Sequence, residues 1–284
     1  MINLTELKNI VTNNQKVSQI DAASIILPIL KKIPAPVVSV NKNTLIERAV
    51  SIDRSQSPFD LDRLSYIPDK LKRISKEGRF NKDLEPAFYG AFTDLEIPQL
   101  TRYFLAFEIE QNLSKIENHT FRFTISKWFT INSFDAIQFI FDERYCNNIL
   151  TKTAFHAFQS NLDYINLSND EKEALRLITI ELAKPSPING YVISNVIFDF
   201  YKNKKYGAII YPGVQSKYRG NNIALVPYLV DKNFSFFLGA EFELIKRKKK
   251  IEIKDLYGLK ISNGKLDYFE FEVNEKDVSE SFPT

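Results

Sequence analysis

Residues 206–227 read YGAIIYPGVQSKYRGNNIALVP, two short apolar runs separated by a polar, glycine-containing middle. The first run, 206–212, and the run NNIALVPYLV, 221–230, have strand composition. Pro212-Gly213 punctuates them as a turn. Helices are expected just upstream. SNDEKEALRLITIELAK, 168–184, opens with Ser168 as N-cap and carries Glu171 three residues later, a capping box. YVISNVIFDFYKNK, 191–204, is the next helix. Downstream, FSFFLGAEFELI (234–245), KIEIKDLYGLKI (250–261) and KLDYFEFEV (265–273) return to strands. Lys246, Arg247, Lys248, Lys249 and Lys250 read as a solvated turn between two of them.

The same irregular mixing continues toward the N-terminus. TLIERAVS (44–51), PAFYGAF (86–92), FRFTISKWF (121–129) and FDAIQFIF (134–141) have strand character. QLTRYFLAFEIEQNL (99–113) reads as a helix burying Leu100, Phe104, Phe107 and Leu113. Two further helices are expected within 3–32, on Leu4, Leu7, Ile10 and Val11 and then on Ile25, Ile26 and Leu30, with Asp21 as a cap. Pro34 and Pro36 break the second. The expectation is an α+β fold, not repeating βαβ units. A helical appendage, residues 1–36, would precede a main domain, residues 37–284.

Composition narrows the function. The 38 basic and 35 acidic residues nearly balance, which argues against a nucleic-acid interface. The apolar stretch AASIILPIL (22–30) is too short to span a bilayer and contains Pro28. The N-terminus has no secretory pattern, so the cytoplasm is the expected compartment. Cys146, the only cysteine, excludes an intrachain disulfide, and 2 His make a multi-His metal site improbable. The 9 glycines form neither GxGxxG nor GxxxxGK[ST], and HExxH and GxSxG are absent. Chemistry must therefore rest on Arg, Tyr, Ser and carboxylates.

Four segments, in order, resemble the RES family, named for its Arg, Glu and Ser. IERAVS (46–51) is similar to its opening strand, with Arg48 at the Arg position. GRFNKDLEPAFYGA (78–91) matches a Gly-Arg-aromatic-Asn stretch and a following (L/F)Y strand, through Arg79, Asn81 and Tyr89. FLAFEIE (104–110) resembles the next helix, with Glu108 at the Glu position. Residues 206–227 resemble GLIYPSVQ…G.NIAL.P, the most specific match of the four. SKWFTINSFDAIQFIF (126–141) resembles a subgroup with an elongated middle. The likeness runs from about Thr44 to Glu243. Two features depart from the pattern. The insertion FTDLEIPQLTRY (92–103) makes Glu96 and Glu110 rivals of Glu108, although Glu110 should point away from the Glu108 face. The family Ser is Gly213 here, with Ser216 three residues on.

The resemblance implies an ADP-ribosyltransferase-like fold: a central mixed or antiparallel sheet flanked by helices. It also implies an NAD-degrading, toxin-like activity, with NAD as substrate, no metal, and a helical, DNA-binding antitoxin as a common partner. Cleaving the nicotinamide–ribose bond passes through an oxocarbenium-like transition state, which Glu108 would stabilise. Arg48 and Arg79 would supply planar donors to pyrophosphate and ribose oxygens. Tyr89 would stack on the cationic nicotinamide ring. Asn81, Gly213 and Asn222 would line the nucleotide site. Alone, each residue has a plainer reading: Arg48 as a surface ion pair, Tyr89 as a half-buried strand aromatic, Glu108 as a solvated helix residue, and Asn222 as a loop tie. An inactive nucleotide-binding module and a protein that docks an antitoxin through its N-terminal helices are the alternatives to an enzyme.

Overall fold

The computed structural model of the protein describes residues 3–52, 64–93, 98–110, 113, 115–185, 189–262 and 265–269. Its centre is one mixed sheet of ten strands. In chain order the strands are β1 (Val37–Val40), β2 (Leu45–Ser51), β3 (Phe88–Phe92), β4 (Asn118–Thr130), β5 (Phe134–Gln138), β6 (Ala208–Pro212), β7 (Asn221–Leu225), β8 (Phe234–Arg247), β9 (Lys250–Ser262) and β10 (Lys265–Phe269). Across the sheet the order is β1-β5-β6-β7-β3-β2-β4-β8-β9-β10. β5 and β6 pair in parallel; the other described pairings are antiparallel. A parallel pair requires a crossover, and residues 139–207 form it.

The helices are α1 (Leu4–Val11), α2 (Gln19–Lys32), α3 (Pro98–Ile109), α4 (Ile149–Ser160), α5 (Leu162–Ile165), α6 (Asn169–Leu182), α7 (Val192–Lys202) and α8 (Pro227–Asn233). Alternation along the strands divides the apolar residues between the two sheet faces. Ile46 and its partner Trp128 join a large core with α1, α2, α6, α7 and α8. Ala49 and its partner Ile125 join a smaller core with Tyr103, Leu105 and Ala106 of α3. The fold is therefore α+β, a mixed sheet flanked by helices.

Local chemistry explains the helix boundaries. Ser168 and Glu171 form the capping box of α6. α2 starts at Ser18, whose hydroxyl accepts from the Asp21 amide, so the cap is Ser18 and Asp21 lies inside the first turn. Pro28 sits within α2, and the chain turns extended at Ile33 before Pro34. α4 has a capping box of its own, between Asn148 and Thr151.

Three expectations change. NNIALVPYLV is not one strand: β7 ends at Leu225, and Pro227 starts α8, where its missing N–H costs no helical bond. The basic run is a hairpin turn only at Lys248 and Lys249, because β8 continues through Arg247. Lys246 is buried and its ammonium donates to the Leu113 carbonyl. In α3 the buried residues are Thr101, Tyr103, Phe104, Leu105 and Ala106; Phe104 and, past the helix, Leu113 are buried as expected, while Leu100 and Phe107 are only partly covered. The end of KLDYFEFEV, past Phe269, lies outside the described residues.

The N-terminal helices are continuous with the main core. Leu7, Ile10 and Val11 of α1 and Ala22, Ile26, Ile29 and Leu30 of α2 are buried in the same cluster as the sheet residues Ile137, Phe139 and Ile209. A boundary at residue 36 thus falls inside one apolar core.

Candidate functional site

The site is built around the β6–β7 connection, residues 213–220. Helical spacing on α3 presents Phe104 and Glu108 on one face, four residues apart. Phe104 lies against Gly220, where an added Cβ would come within 3.1 Å of its ring. Glu108, one turn later, accepts at Oε1 from the Gln215 amide at 3.0 Å. The Ser216 amide and the Asn222 side chain also donate to it. Burial raises the Glu108 carboxyl above its ordinary value, against the opposing pull of these donors and of the Arg79 charge. Glu110 takes another direction and lies 3.7 Å from His119 Nε2. Glu96 lies outside the described residues.

Arg48 projects from β2 on the face of the larger core. Its guanidinium donates to the Tyr89 carbonyl at 3.0 Å and lies over the Phe88 ring, 5.4 Å from the centroid. Its Nε is buried without a partner among the described residues. Burial lowers its pKa to about 10, and the nearby Tyr89 and Tyr211 hydroxyls oppose that shift. Arg48 is not the surface ion pair that its isolated strand position suggests.

Tyr89 fixes the loop that carries Arg79. Its hydroxyl accepts from the Phe80 amide at 2.8 Å and donates to Asn81 Oδ1 at 2.7 Å. Asn81 donates in turn to the carbonyls of Lys76 and Lys82. Its side chain is thus committed to shaping the loop. Arg79 leaves that loop between the rings of Tyr191 and Tyr211, 5.3 and 5.9 Å from their centroids. It donates to the carbonyls of Leu182 at 2.9 Å and Lys184 at 3.0 Å, at the C-terminus of α6. A cation is favoured there by the helix dipole.

Tyr211 is the residue that sequence reasoning left out. It lies in the row Tyr211–Asn222–Ala91 across β6, β7 and β3. Asn222 reaches both Tyr211 and Glu108. Burial pushes the Tyr211 hydroxyl well above its ordinary value; Glu108 and Tyr89 add to the shift and Arg79 opposes it. The signal was present in the Tyr-Pro-Gly of 211–213.

The loop itself is tightly held. Gly213 exchanges bonds with Gly220 and Tyr218: its N–H donates to Gly220 O and its carbonyl accepts from Tyr218 N, both at 2.8 Å. Lys217 and Tyr218 adopt positive φ, 54° and 66°, a conformation kept when surroundings over-determine it. Asn147 and Asn148 donate to the Lys217 and Tyr218 carbonyls, and Tyr145 packs edge-on against Tyr218. Gly213 is not at positive φ. A Cβ there would lie 2.6 Å from Ser216 Oγ and 3.4 Å from Glu108 Oε1. The buried Ser216 hydroxyl thus occupies the space that a side chain at 213 would enter.

Arg48, Arg79, Tyr89, Tyr211, Asn222, Glu108 and Gly213 converge from β2, β3, α3, β6, β7 and two loops. The chain matches no protein-family model and no curated protein sequence. The RES likeness therefore rests on the four segments quoted above. Among the described residues no group of three or more His, Cys, Asp or Glu is placed to hold a metal ion. No helix among them is long and apolar enough to cross a membrane. Cys146 is buried, and burial raises its thiol pKa to about 11, which suits packing rather than nucleophilic attack.

Proposed function

We propose that the protein consumes NAD by cleaving the nicotinamide–ribose bond, on an ADP-ribosyltransferase-like fold as the RES resemblance implies. The observation that carries the proposal is the setting of Glu108. A buried carboxylate fixed by two amides and an Asn, with the Arg79 charge and the Tyr211 hydroxyl beside it, is preorganised toward a developing positive charge. Three donors on its oxygens set its orientation before substrate arrives, so little reorganisation accompanies bond cleavage. The unpartnered Nε of Arg48 gives a pyrophosphate or ribose oxygen a donor. Arg79, fixed by two carbonyls, adds positive charge beside it. The half-buried Tyr89 ring offers a surface to the nicotinamide.

Nicotinamide is a competent leaving group, so this chemistry needs no histidine acid. The acceptor, whether water, phosphate or a macromolecule, defines glycohydrolase, phosphorylase or ADP-ribosyltransferase activity. The test is nicotinamide release from NAD by the full chain, with and without inorganic phosphate. Release that depends on Glu108 supports the reading. Intact NAD after prolonged incubation at high enzyme concentration overturns it.

Gly213 favours a second reading, a nucleotide-binding module with impaired catalysis, because a glycine supplies only its backbone here. Saturable NAD binding without turnover is its expected result. The resemblance also implies a helical antitoxin as partner. The apolar stripes of α1 and α2 are turned into the core, so such a partner would meet their polar sides.

A further inference from the structure

The connector after α6 is gripped from two sides. On the site side, Arg79 donates to the carbonyls of Leu182 and Lys184, and the Tyr218 hydroxyl donates to the Ala183 carbonyl at 3.1 Å. Arg79 also lies over Tyr191, just before α7. On the far side, Lys184 Nζ donates to the Val11 carbonyl at 2.7 Å and to Asn14 Oδ1 at 3.2 Å. Asn189 accepts from the Val17 amide at 2.9 Å and donates to the Gln15 carbonyl at 3.1 Å. Lys184 is the shared member: its carbonyl holds Arg79 while its ammonium holds the end of α1. That ammonium also pairs with the buried Glu181 carboxylate at 2.5 Å. The Glu181 carboxyl is raised by burial, and Lys184 and then Arg79 act against the rise.

We propose that the segment joining α1 and α2 is part of the site's scaffold, and that Lys184 is the positioning residue coupling it to Arg79. The physical argument is chain connectivity. The backbone at 182–184 can shift only if it leaves either Arg79 and Tyr218 or the α1–α2 segment. Fixing Lys184 Nζ in the N-terminal segment fixes the carbonyl on which the Arg79 guanidinium rests. Displacing that carbonyl by about 1 Å is enough to degrade a preorganised contact strongly. The cost would fall on substrate binding, because the Arg79 contact is made in ground state and transition state alike. The catalytic consequence rests on the NAD reading; the mechanical coupling does not.

The experiment compares the full chain with Lys184→Met, Lys184→Arg and Asn14→Gly. Asn14 sits at φ 53°, so glycine removes its oxygen while keeping the backbone unstrained. Two readouts are taken. The first is amide hydrogen exchange. Lys184→Met should speed exchange in 78–81 and 213–220 as well as in 12–17, and Lys184→Arg should restore much of the protection. Faster exchange confined to 12–17 and 184–189 would overturn the coupling. The second is nicotinamide release. KM for NAD should rise about tenfold with kcat within about twofold, the pattern of lost uniform binding. A fall in kcat at constant KM would mean that Lys184 only supports folding, and would also overturn the proposal. Should Lys184→Met not fold, Asn14→Gly reports on the same link, with a smaller change of the same kind expected and no change counting against it. If the wild-type chain leaves NAD intact, the NAD reading fails and the exchange readout alone decides this one.

Discussion

A carboxylate as buried as Glu108 is costly unless its oxygens are satisfied, and here its donors are one loop's amides and Asn222. Glu108→Ala should lower turnover by about 10²–10³-fold, the usual range for a preorganised charge-stabilising group, while NAD binding changes only a few-fold. The raised carboxyl also has a sign in pH. A carboxyl whose folded pKa exceeds its unfolded value stabilises the fold below the unfolded pKa, and that contribution is lost as pH rises through the folded one. The stability of wild type relative to Glu108→Gln should therefore decline as pH rises out of the ordinary carboxylate range, measured by urea unfolding. The acid limb of kcat/KM should lie above the ordinary carboxylate range. Gly213 makes a second residue-scale case. Its φ admits serine, but the new Cβ meets Ser216 Oγ at 2.6 Å. Gly213→Ser should cost about 1–3 kcal/mol through overpacking, and Gly213→Ser with Ser216→Gly should recover most of it. If a hydroxyl at 213 is what turnover lacks, kcat should rise in the double variant more than in the single. Unchanged or lower kcat in both would show that it is not.

At the scale of elements, the Tyr89 hydroxyl is the bolt between β3 and the Arg79 loop. Tyr89→Phe leaves the Phe80 amide and Asn81 Oδ1 without a partner, a loss of about 1–3 kcal/mol. Faster exchange at 78–81, with the rest of the sheet protected, would locate it. Elements with chemical punctuation were legible in the sequence. The Ser168–Glu171 box marks the start of α6, and alternation marks β4. α4 was not, because Ile149 and Leu150 are exposed and only Thr151 of that helix is buried. No apolar stripe advertises such a helix, and its Asn148–Thr151 cap falls outside the usual Ser-to-Glu pattern. α8 was hidden for the opposite reason: Leu229 and Val230 are buried directly after a buried strand, so one apolar run crosses two elements. For the site, residue types could be read in order along the chain, but their commitments could not. Asn81, which the resemblance puts at the nucleotide site, uses its side chain to brace its own loop: Oδ1 accepts from the Tyr89 hydroxyl and Nδ2 donates to the Lys76 and Lys82 carbonyls.

For the whole molecule, one core spans the sheet and the N-terminal helices. Deleting residues 1–33 would uncover the sheet side of that core and remove the bonds at Val11 and Asn14. We expect an insoluble or unfolded product, read by circular dichroism, and not a trimmed but competent protein. A soluble, cooperatively folding remnant would separate the two parts after all. The strand order has a different bearing, on synthesis. β6 and β7 fill the middle of the sheet, between β5 and β3, both of which leave the ribosome earlier. A nascent chain stopped before residue 208 holds β1 with β5 and β2 with β3 and β4, joined through the 41–44 and 131–133 turns, but leaves the place between β5 and β3 unfilled. It also lacks Tyr211, Asn222 and the amides that orient Glu108. During vectorial synthesis, at roughly 5–20 residues per second, the growing polypeptide thus passes most of its length with Glu108 lacking the donors that orient it. The proposed site around Glu108 is finished by the last strands to enter the middle of the sheet, and is complete only when translation is about three-quarters done.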